Sequence, residues 1–280
     1  HILLDSLQHI CLMHGMEVDY YKKLFQTIGN IIELIEKDDI PKYLLFLENA
    51  FPYMDNYNYH KGMNGIIQEL KCLLKTKSIG TDSDRALLLD FQATLETKPE
   101  KAIKLEKDAL AQIETITVDN ARLVSNLHAN LGGLYRMNGH PDLAREHMEK
   151  SISLLDQFNL LHINDSIPQI ANYAMFLTEQ QEPERGISEL QKLSGIIKEY
   201  HSDDCLDYAK VQETLGTIYL MTANLPQAKT HFKRAFKIYE KIWADEPEMI
   251  EAKYQEIQEL YPQVGFFLGQ QLSDFLTKQT

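Results

Sequence analysis

Cysteine is scarce in this sequence and forms no recognisable motif. The three cysteines, Cys11, Cys72 and Cys205, lie far apart, and none belongs to a Cys-x-x-Cys pair. In an oxidising compartment, disulfide formation would leave one of these thiols over. A reducing cytoplasm is therefore the expected location.

Long apolar runs and an excess of basic charge are also missing. No apolar run approaches the roughly 18 residues needed to cross a bilayer, and residues 1–15 lack the basic start and cleavage site of a signal peptide. The chain begins with His1 rather than methionine, so we expect it to be cut from a longer protein.

The 41 acidic and 28 basic residues give a formal net charge of −13. Because such a field repels polyanions, neither nucleic acid nor an anionic membrane is an expected partner.

Signatures of catalysis are absent from the sequence as well. There is no glycine-rich phosphate loop and no GxSxG motif, and the ten histidines form no HExxH or paired Cys/His spacing. His140 and His147 lie on either side of a predicted turn, so they need not face one metal ion. The segment HSDDC, residues 201–205, falls in a predicted loop, where short polar residues simply turn the chain. We expect no enzymatic activity, no metal and no cofactor.

A repeated template is what the sequence does contain. Residues 130–151 (NLGGLYRMNGHPDLAREHMEKS) and 214–235 (TLGTIYLMTANLPQAKTHFKRA) share Leu-Gly-x-x-Tyr, a polar break, and then alanine followed four residues later by Met or Phe. Gly132 and Gly216 are 84 residues apart, and Ala174 stands halfway between them. A period of 42 residues is therefore predicted.

Prolines support the same period independently. Pro99, Pro141 and Pro183 stand 42 residues apart, and Pro226 is displaced by one. Proline in the first turn of a helix loses no hydrogen bond, and an acidic residue after it, as follows the first three, complements the helix dipole. The segments before these prolines carry apolar residues at helical spacing. Each repeat is thus predicted to be a helix, a short turn and a second helix, with small residues where the two helices approach closely.

This pattern resembles the tetratricopeptide repeat (TPR) family, whose motif has Leu-Gly and Tyr in the first helix and Ala, Phe and Ala in the second. The matching slots are Leu131, Gly132, Tyr135, Ala144, Met148 and Ser151, and then Leu215, Gly216, Tyr219, Ala228, Phe232 and Ala235. The period exceeds the ordinary 34 residues of the family and is similar to that of kinesin light chains and of bacterial peptide-sensing regulators. The resemblance implies an all-α fold, a right-handed superhelix (TPR solenoid) of antiparallel helix pairs.

The resemblance is specific between residues 83 and 250 and fades outside that range. We predict N-terminal helical hairpins, as degenerate repeats, over 1–78, four TPR-like repeats over 79–250, and a degenerate repeat or capping helix over 251–280. In the N-terminal part, the apolar pattern predicts helices around 2–14, 18–37, 42–51 and 57–76.

One face of each first helix is the predicted ligand surface. A repeat of this kind buries the side carrying Leu131 and Tyr135 and leaves the opposite side exposed on a concave surface. Helical geometry of about 100° per residue places Phe91 on the exposed side of the first repeat. The candidate peptide-binding residues are Asn126, Asn130, Arg136, Met137, Asn172, Met175, Glu179, Lys210, Glu213, Thr214 and Thr217.

Two asparagines in one slot of neighbouring repeats suggest a backbone clamp. The amides of Asn130 and Asn172 each offer a donor and an acceptor, as an extended peptide requires, and the resemblance strengthens this because peptide-binding relatives often carry asparagine there. Thr214 and Leu88 occupy the slot elsewhere, so a clamp would be short. The alternative is two solvated amides. Met137 and Met175 likewise either form an adaptable apolar floor or pack against the next repeat.

Three functions remain open at this stage. The first is a non-enzymatic module binding an extended peptide or partner segment on its concave surface, with Arg136, Met175, Lys210 and Glu213 selecting side chains. The second is the sensory half of a bacterial transcription regulator or signalling protein, whose effector domain would precede His1. The third, which no motif supports, is a hydrolytic activity in the N-terminal helices. Oligomeric state does not follow from the sequence.

Overall fold

The computed structural model describes residue 51 and residues 60–76, 80–162, 166–245 and 247–260. Within these ranges it contains ten α-helices and no β-strand. They are α1 (His60–Thr76), α2 (Asp82–Thr94), α3 (Pro99–Leu110), α4 (Ala121–Met137), α5 (Pro141–Gln157), α6 (Ser166–Glu179), α7 (Pro183–Tyr200), α8 (Leu206–Met221), α9 (Leu225–Ile242) and α10 (Pro247–Leu260). The predicted all-α class is confirmed.

Two compact units divide the chain, His1–Asn138 and Gly139–Thr280. In the first unit, α2 packs on α1 and α3, and α3 also packs on α4. A capping box fixes the start of α2, because the Thr81 hydroxyl accepts from the backbone N–H of Asp84 while the Asp84 carboxylate accepts from that of Thr81. Phe91 lies buried under a stacked ring, Phe51, with 3.8 Å between the centroids.

In Gly139–Thr280, each helix packs mainly on its neighbours in sequence, and the first helices α6 and α8 also touch directly. The shared core is continuous from Leu155 to Ile257. Its largest fully buried side chains are aromatic, namely Tyr208, Phe232, Phe236 and Tyr239. This is the layered packing expected of a helical repeat, in which each hairpin buries its apolar face on the next.

Small residues stand where helices of one repeat approach closely. A Cβ added to Gly186 of α7 would lie 2.6 Å from the carbonyl oxygen of Ala174 in α6. At Gly216 of α8, the added atom would lie 3.0 Å from the ring of Phe232 in α9. The role predicted for the small residues of the template is confirmed at these positions.

The second helix of each repeat begins at a proline or next to one, as predicted. Helices α3, α5 and α7 begin at Pro99, Pro141 and Pro183, and α9 begins one residue before Pro226. The predicted helix around 57–76 is present as α1, whereas those around 2–14 and 18–37, most of 42–51, and the end of the predicted cap lie outside the described residues. The boundaries predicted at 78 and 250 concern repeats rather than these compact units, and they stay predictions.

Candidate peptide-binding surface

In Gly139–Thr280, two candidate residues have exposed polar side chains without described hydrogen-bond partners. They lie on the first helices of two adjacent repeats. Asn172 of α6 and Lys210 of α8 are both exposed. Neither side chain has a hydrogen bond or an ion pair with any residue that the structure describes. Because α6 and α8 pack against each other, these two side chains lie on helices that are in direct contact. We call Asn172, Met175, Lys210 and Thr214 the α6–α8 face.

Most of the other candidate residues on these helices make packing contacts or hydrogen bonds within the protein. Met175 is half-buried and packs against the core, and the hydroxyl of Thr214 donates to the carbonyl of Lys210 in its own helix. Thr217 was expected on the exposed side, but it is only 7% exposed and its hydroxyl donates to the carbonyl of Glu213. Glu179 is exposed at the end of α6.

Glu213 is held by its own unit. Its carboxylate lies 3.0 Å from the Nζ of Lys253 in α10 and accepts a hydrogen bond of 2.7 Å from the hydroxyl of Tyr239 in α9. Burial alone would lower the pKa of Lys253, but the carboxylates of Glu213 and Glu256 raise it above its ordinary value. Burial and the charge of Glu213 also raise the pKa of Tyr239. The selection role predicted for Glu213 would require this pairing to open.

In His1–Asn138, the equivalent face lies along α4. Asn130 is exposed, and its Nδ2 donates to the Oδ1 of Asp90 in α2 at 2.8 Å. Asn126 and Arg136 are half-buried and each has an interaction partner. Met137 is 81% exposed at the end of the helix. Phe91 was expected to be exposed on α2, and that expectation is wrong because Phe51 covers it.

A buried carboxyl group beneath Asn130 was missed in the sequence. Glu106 of α3 is only 2% exposed, and its Oε2 has no hydrogen-bond partner among the described residues. Burial, followed by the charge of Asp90 and a hydrogen bond with it, raises the pKa of Glu106 to about 10, although a hydrogen bond from Asn130 lowers it. The raised pKa favours the protonated form of Glu106. The signal was available, because Glu106 stands 42 residues before Met148, in a slot that is otherwise apolar.

The segment HSDDC serves structural purposes. It lies in the predicted loop, between α7 and α8, where the Sγ of Cys205 caps α8 by accepting from the backbone N–H of Tyr208. Asp203 pairs with Lys198 and Arg234, and Asp204 pairs with Lys241. Among the residues that the structure describes, no group of three or more His, Cys, Asp or Glu is arranged to hold a metal ion.

Comparison with known proteins identifies the repeats. A sequence model described as "Tetratricopeptide repeat" matches residues 166–241, which span α6 to α9. Residues 166–241 are therefore similar to tetratricopeptide repeats. Comparison with curated protein sequences gives no significant match.

Solved structures agree with the TPR assignment in fold. The crystal structure of BtubC (BKLC) from P. vanneervenii superposes with a TM-score of 0.54 at 15% identity, covering 86% of this chain and 92% of that one. The crystal structure of a putative kinesin light chain from Podosopora anserina, with nearly identical TPR-like repeats, gives a TM-score of 0.53 at 12% identity and covers 72% of this chain and 97% of that one. At these identities, the likeness shows the helical-repeat fold alone.

The TPR fold is that of a protein–protein interaction module, and it typically serves as a scaffold without catalytic activity. No helix among the described residues has the length and apolar character needed to cross a membrane.

Proposed function

We propose that this TPR protein binds an extended peptide or partner segment on the exposed side of its first helices. The observation that carries the proposal is Asn172, an exposed amide of the α6–α8 face that has no hydrogen bond to any described residue. An amide in this state can donate to a peptide carbonyl and accept from a peptide N–H at no cost to the protein's own hydrogen bonds.

The neighbours of Asn172 suit the rest of a peptide. Met175, one turn further along α6, offers a polarizable apolar contact for a side chain. On α8, Lys210 adds an exposed ammonium group without a salt-bridge partner among the described residues. Apolar contact beside a few unsatisfied polar groups is the usual composition of a recognition surface.

Asn130 is proposed to play the same part in His1–Asn138. It occupies the slot of Asn172 one period earlier, and its Nδ2 would exchange the carboxylate of Asp90 for a peptide carbonyl. Asn126, Arg136 and Met137 would supply the surrounding contacts on α4. Glu179, Glu213, Thr214 and Thr217 stay predictions for the second unit.

Peptide titration tests the proposal. A peptide selected against the wild-type protein from a displayed random library would be titrated into wild type and Asn172→Ala. We expect the variant to bind about 10-fold more weakly, since one hydrogen bond is worth about 0.5–1.5 kcal/mol. Gln191→Ala is the matched control, because Gln191 is an exposed amide on the second helix α7. Equal affinities for wild type and Asn172→Ala would refute the backbone contact.

A further inference from the structure

Helix α9 carries an excess of positive charge in a protein whose formal net charge is −13. Its 18 residues include a single acidic residue, Glu240. We call its lysine and arginine side chains, all of which are exposed, the α9 basic face: Lys229, Lys233, Arg234, Lys237 and Lys241. At about 100° per residue they occupy one side of the helix, away from the side that buries Phe232 and Tyr239.

The repeat architecture does not require this charge. Counting back one period from Lys233 reaches Gln191 of α7, which is also exposed. From Lys237 the same step reaches Gly195, likewise exposed. The first turn of α9 also lacks the acidic residue that α3, α5 and α7 carry there. Neutral residues therefore suffice on the outward side of a second helix.

The spacing of the lysines is unfavourable for the helix itself. Four lysines follow one another at four-residue intervals from Lys229 to Lys241. This spacing places each ammonium group beside the next, and like charges so placed destabilise a helix. The helix dipole favours cations only in the last turn, which Lys229 and Lys233 do not reach. A bound anion would relieve this repulsion.

The loop between α7 and α8 shows that the α9 basic face binds carboxylates. The carboxylate of Asp203 lies 3.7 Å from the Nη2 of Arg234, and Asp204 pairs with Lys241. A hydrogen bond from Lys241 and its charge, together with the charge of Lys237, hold the pKa of Asp204 below its ordinary value. Both carboxylates belong to neighbouring residues of one chain segment.

The middle of the α9 basic face has no ion pair of this kind. Neither Lys233 nor Lys237 forms one with any residue that the structure describes. Four residues of a helix advance by about 6 Å, and two residues of an extended chain advance by about 6.6 Å. Acidic side chains at alternate positions of an extended segment can therefore meet successive lysines. Exposed charges are screened beyond about 8 Å at physiological salt, so these nearby cations govern the contact.

We propose that the α9 basic face binds an extended acidic segment of a partner protein, with Asp or Glu at alternate positions. Lys233 and Lys237 pair with two of its carboxylates, and Lys229 and Arg234 add positive charge beside them. A short acidic segment suits this face better than nucleic acid, because the net charge of −13 repels a long polyanion. This surface lies on a second helix and is separate from the α6–α8 face, so it goes beyond the proposed function.

Fluorescence anisotropy on the whole chain tests the proposal. The probe is an acetylated, rhodamine-labelled peptide of about five Glu-Gly repeats, compared with the same peptide carrying Gln for Glu. At about 0.05 M salt we expect the Glu peptide to bind at least about 10-fold more tightly. Most of this difference should vanish at about 0.5 M salt. Equal affinities at low salt, or a difference unchanged by salt, would overturn the proposal.

Matched variants separate the α9 basic face from general charge. Combining Lys233→Gln with Lys237→Gln should weaken the Glu peptide about fivefold, because each exposed ion pair contributes modestly. Combining Lys150→Gln with Lys192→Gln removes two exposed lysines from the second helices α5 and α7 and changes the net charge equally. That control should lose less than about twofold. Equal losses in the two double variants would overturn the assignment to α9.

Two further comparisons test the surface and the class of ligand. Lys210→Gln removes the exposed ammonium group of the α6–α8 face. A loss of Glu-peptide affinity there as large as in the α9 double variant would place the peptide on that face and overturn the proposal. A single-stranded oligothymidylate with the same number of charges should bind more weakly than the Glu peptide. Tighter binding, with a similar loss in the α9 double variant, would assign the face to nucleic acid instead.

Discussion

At the scale of single residues, left-handed backbone recurs at the turn inside three of the repeats. Gly139, Gln181 and Ala223 have φ values of 73°, 64° and 59°, and they stand 42 residues apart. Each lies just after a first helix and just before the proline-marked second helix. Only glycine adopts this conformation without steric cost. The repeats that carry Gln181 and Ala223 therefore tolerate strain that the repeat with Gly139 avoids.

Replacing Ala223 by glycine should stabilise the protein. Relief of the left-handed strain outweighs the greater freedom that glycine gives the unfolded chain, so we expect a gain of about 0.5–1 kcal/mol in the free energy of unfolding. Gly139→Ala tests the same position of another repeat in reverse and should lose about 1 kcal/mol. Urea denaturation measures both, and a loss of stability in Ala223→Gly would contradict the argument.

Glu106 should make the stability of the protein fall as pH rises. Its pKa is raised from the ordinary 4.5 to about 10 on folding, so between these values the folded state binds more protons than the unfolded state. The free energy of unfolding contributed by this group therefore decreases with increasing pH, by at most about 1.4 kcal/mol per unit. Denaturation of wild type and Glu106→Gln across about pH 5 to 9 isolates the effect. Parallel curves for the two proteins would show that Glu106 does not titrate in this way.

At the scale of helices, the period determined what the sequence could predict. Pro99, Pro141 and Pro183 fixed three helix starts to the residue, because proline in the first turn is a local signal. Phe91 was misplaced because its exposure depends on Phe51, 40 residues earlier. Helical spacing reports which face of a helix is apolar, but not which other segment covers it. The pairing of Asp90 with Glu106 escaped prediction for the same reason.

The close contact of α6 with α7 depends on glycine at 186. Gly186→Ala would place a Cβ 2.6 Å from the backbone oxygen of Ala174, and since backbone cannot move aside cheaply, we expect a loss of about 1–3 kcal/mol. Gly195, on the same helix, is exposed with no atom within 4 Å of an added Cβ. Gly195→Ala should instead gain up to about 1 kcal/mol through helix propensity. Similar effects of the two substitutions in thermal unfolding would refute the role of close approach.

At the scale of the whole molecule, the net charge bears on the class of peptide that the proposed surface would bind. The net charge of −13 creates a negative field that attracts basic segments and repels acidic ones. The 42-residue period predicted the fold of residues 83–250, but the proposed ligand surface could be described only from the structure. Asn172 and Glu213 both lie on first helices, yet only the structure distinguishes the uncommitted amide from the carboxylate held by Lys253 and Tyr239.

The same charge should govern how fast a peptide associates. Two versions of the selected peptide, carrying lysine or glutamate at positions remote from its contacts, would be compared by stopped flow. At about 0.05 M salt we expect the lysine version to associate at least about 10-fold faster, because the negative field steers it. At about 0.5 M salt the difference should nearly vanish, since screening then acts over only a few ångströms. Dissociation rates should stay alike, because the added charges touch nothing. A rate difference that survived high salt would place the effect in a local contact and not in the field of the molecule.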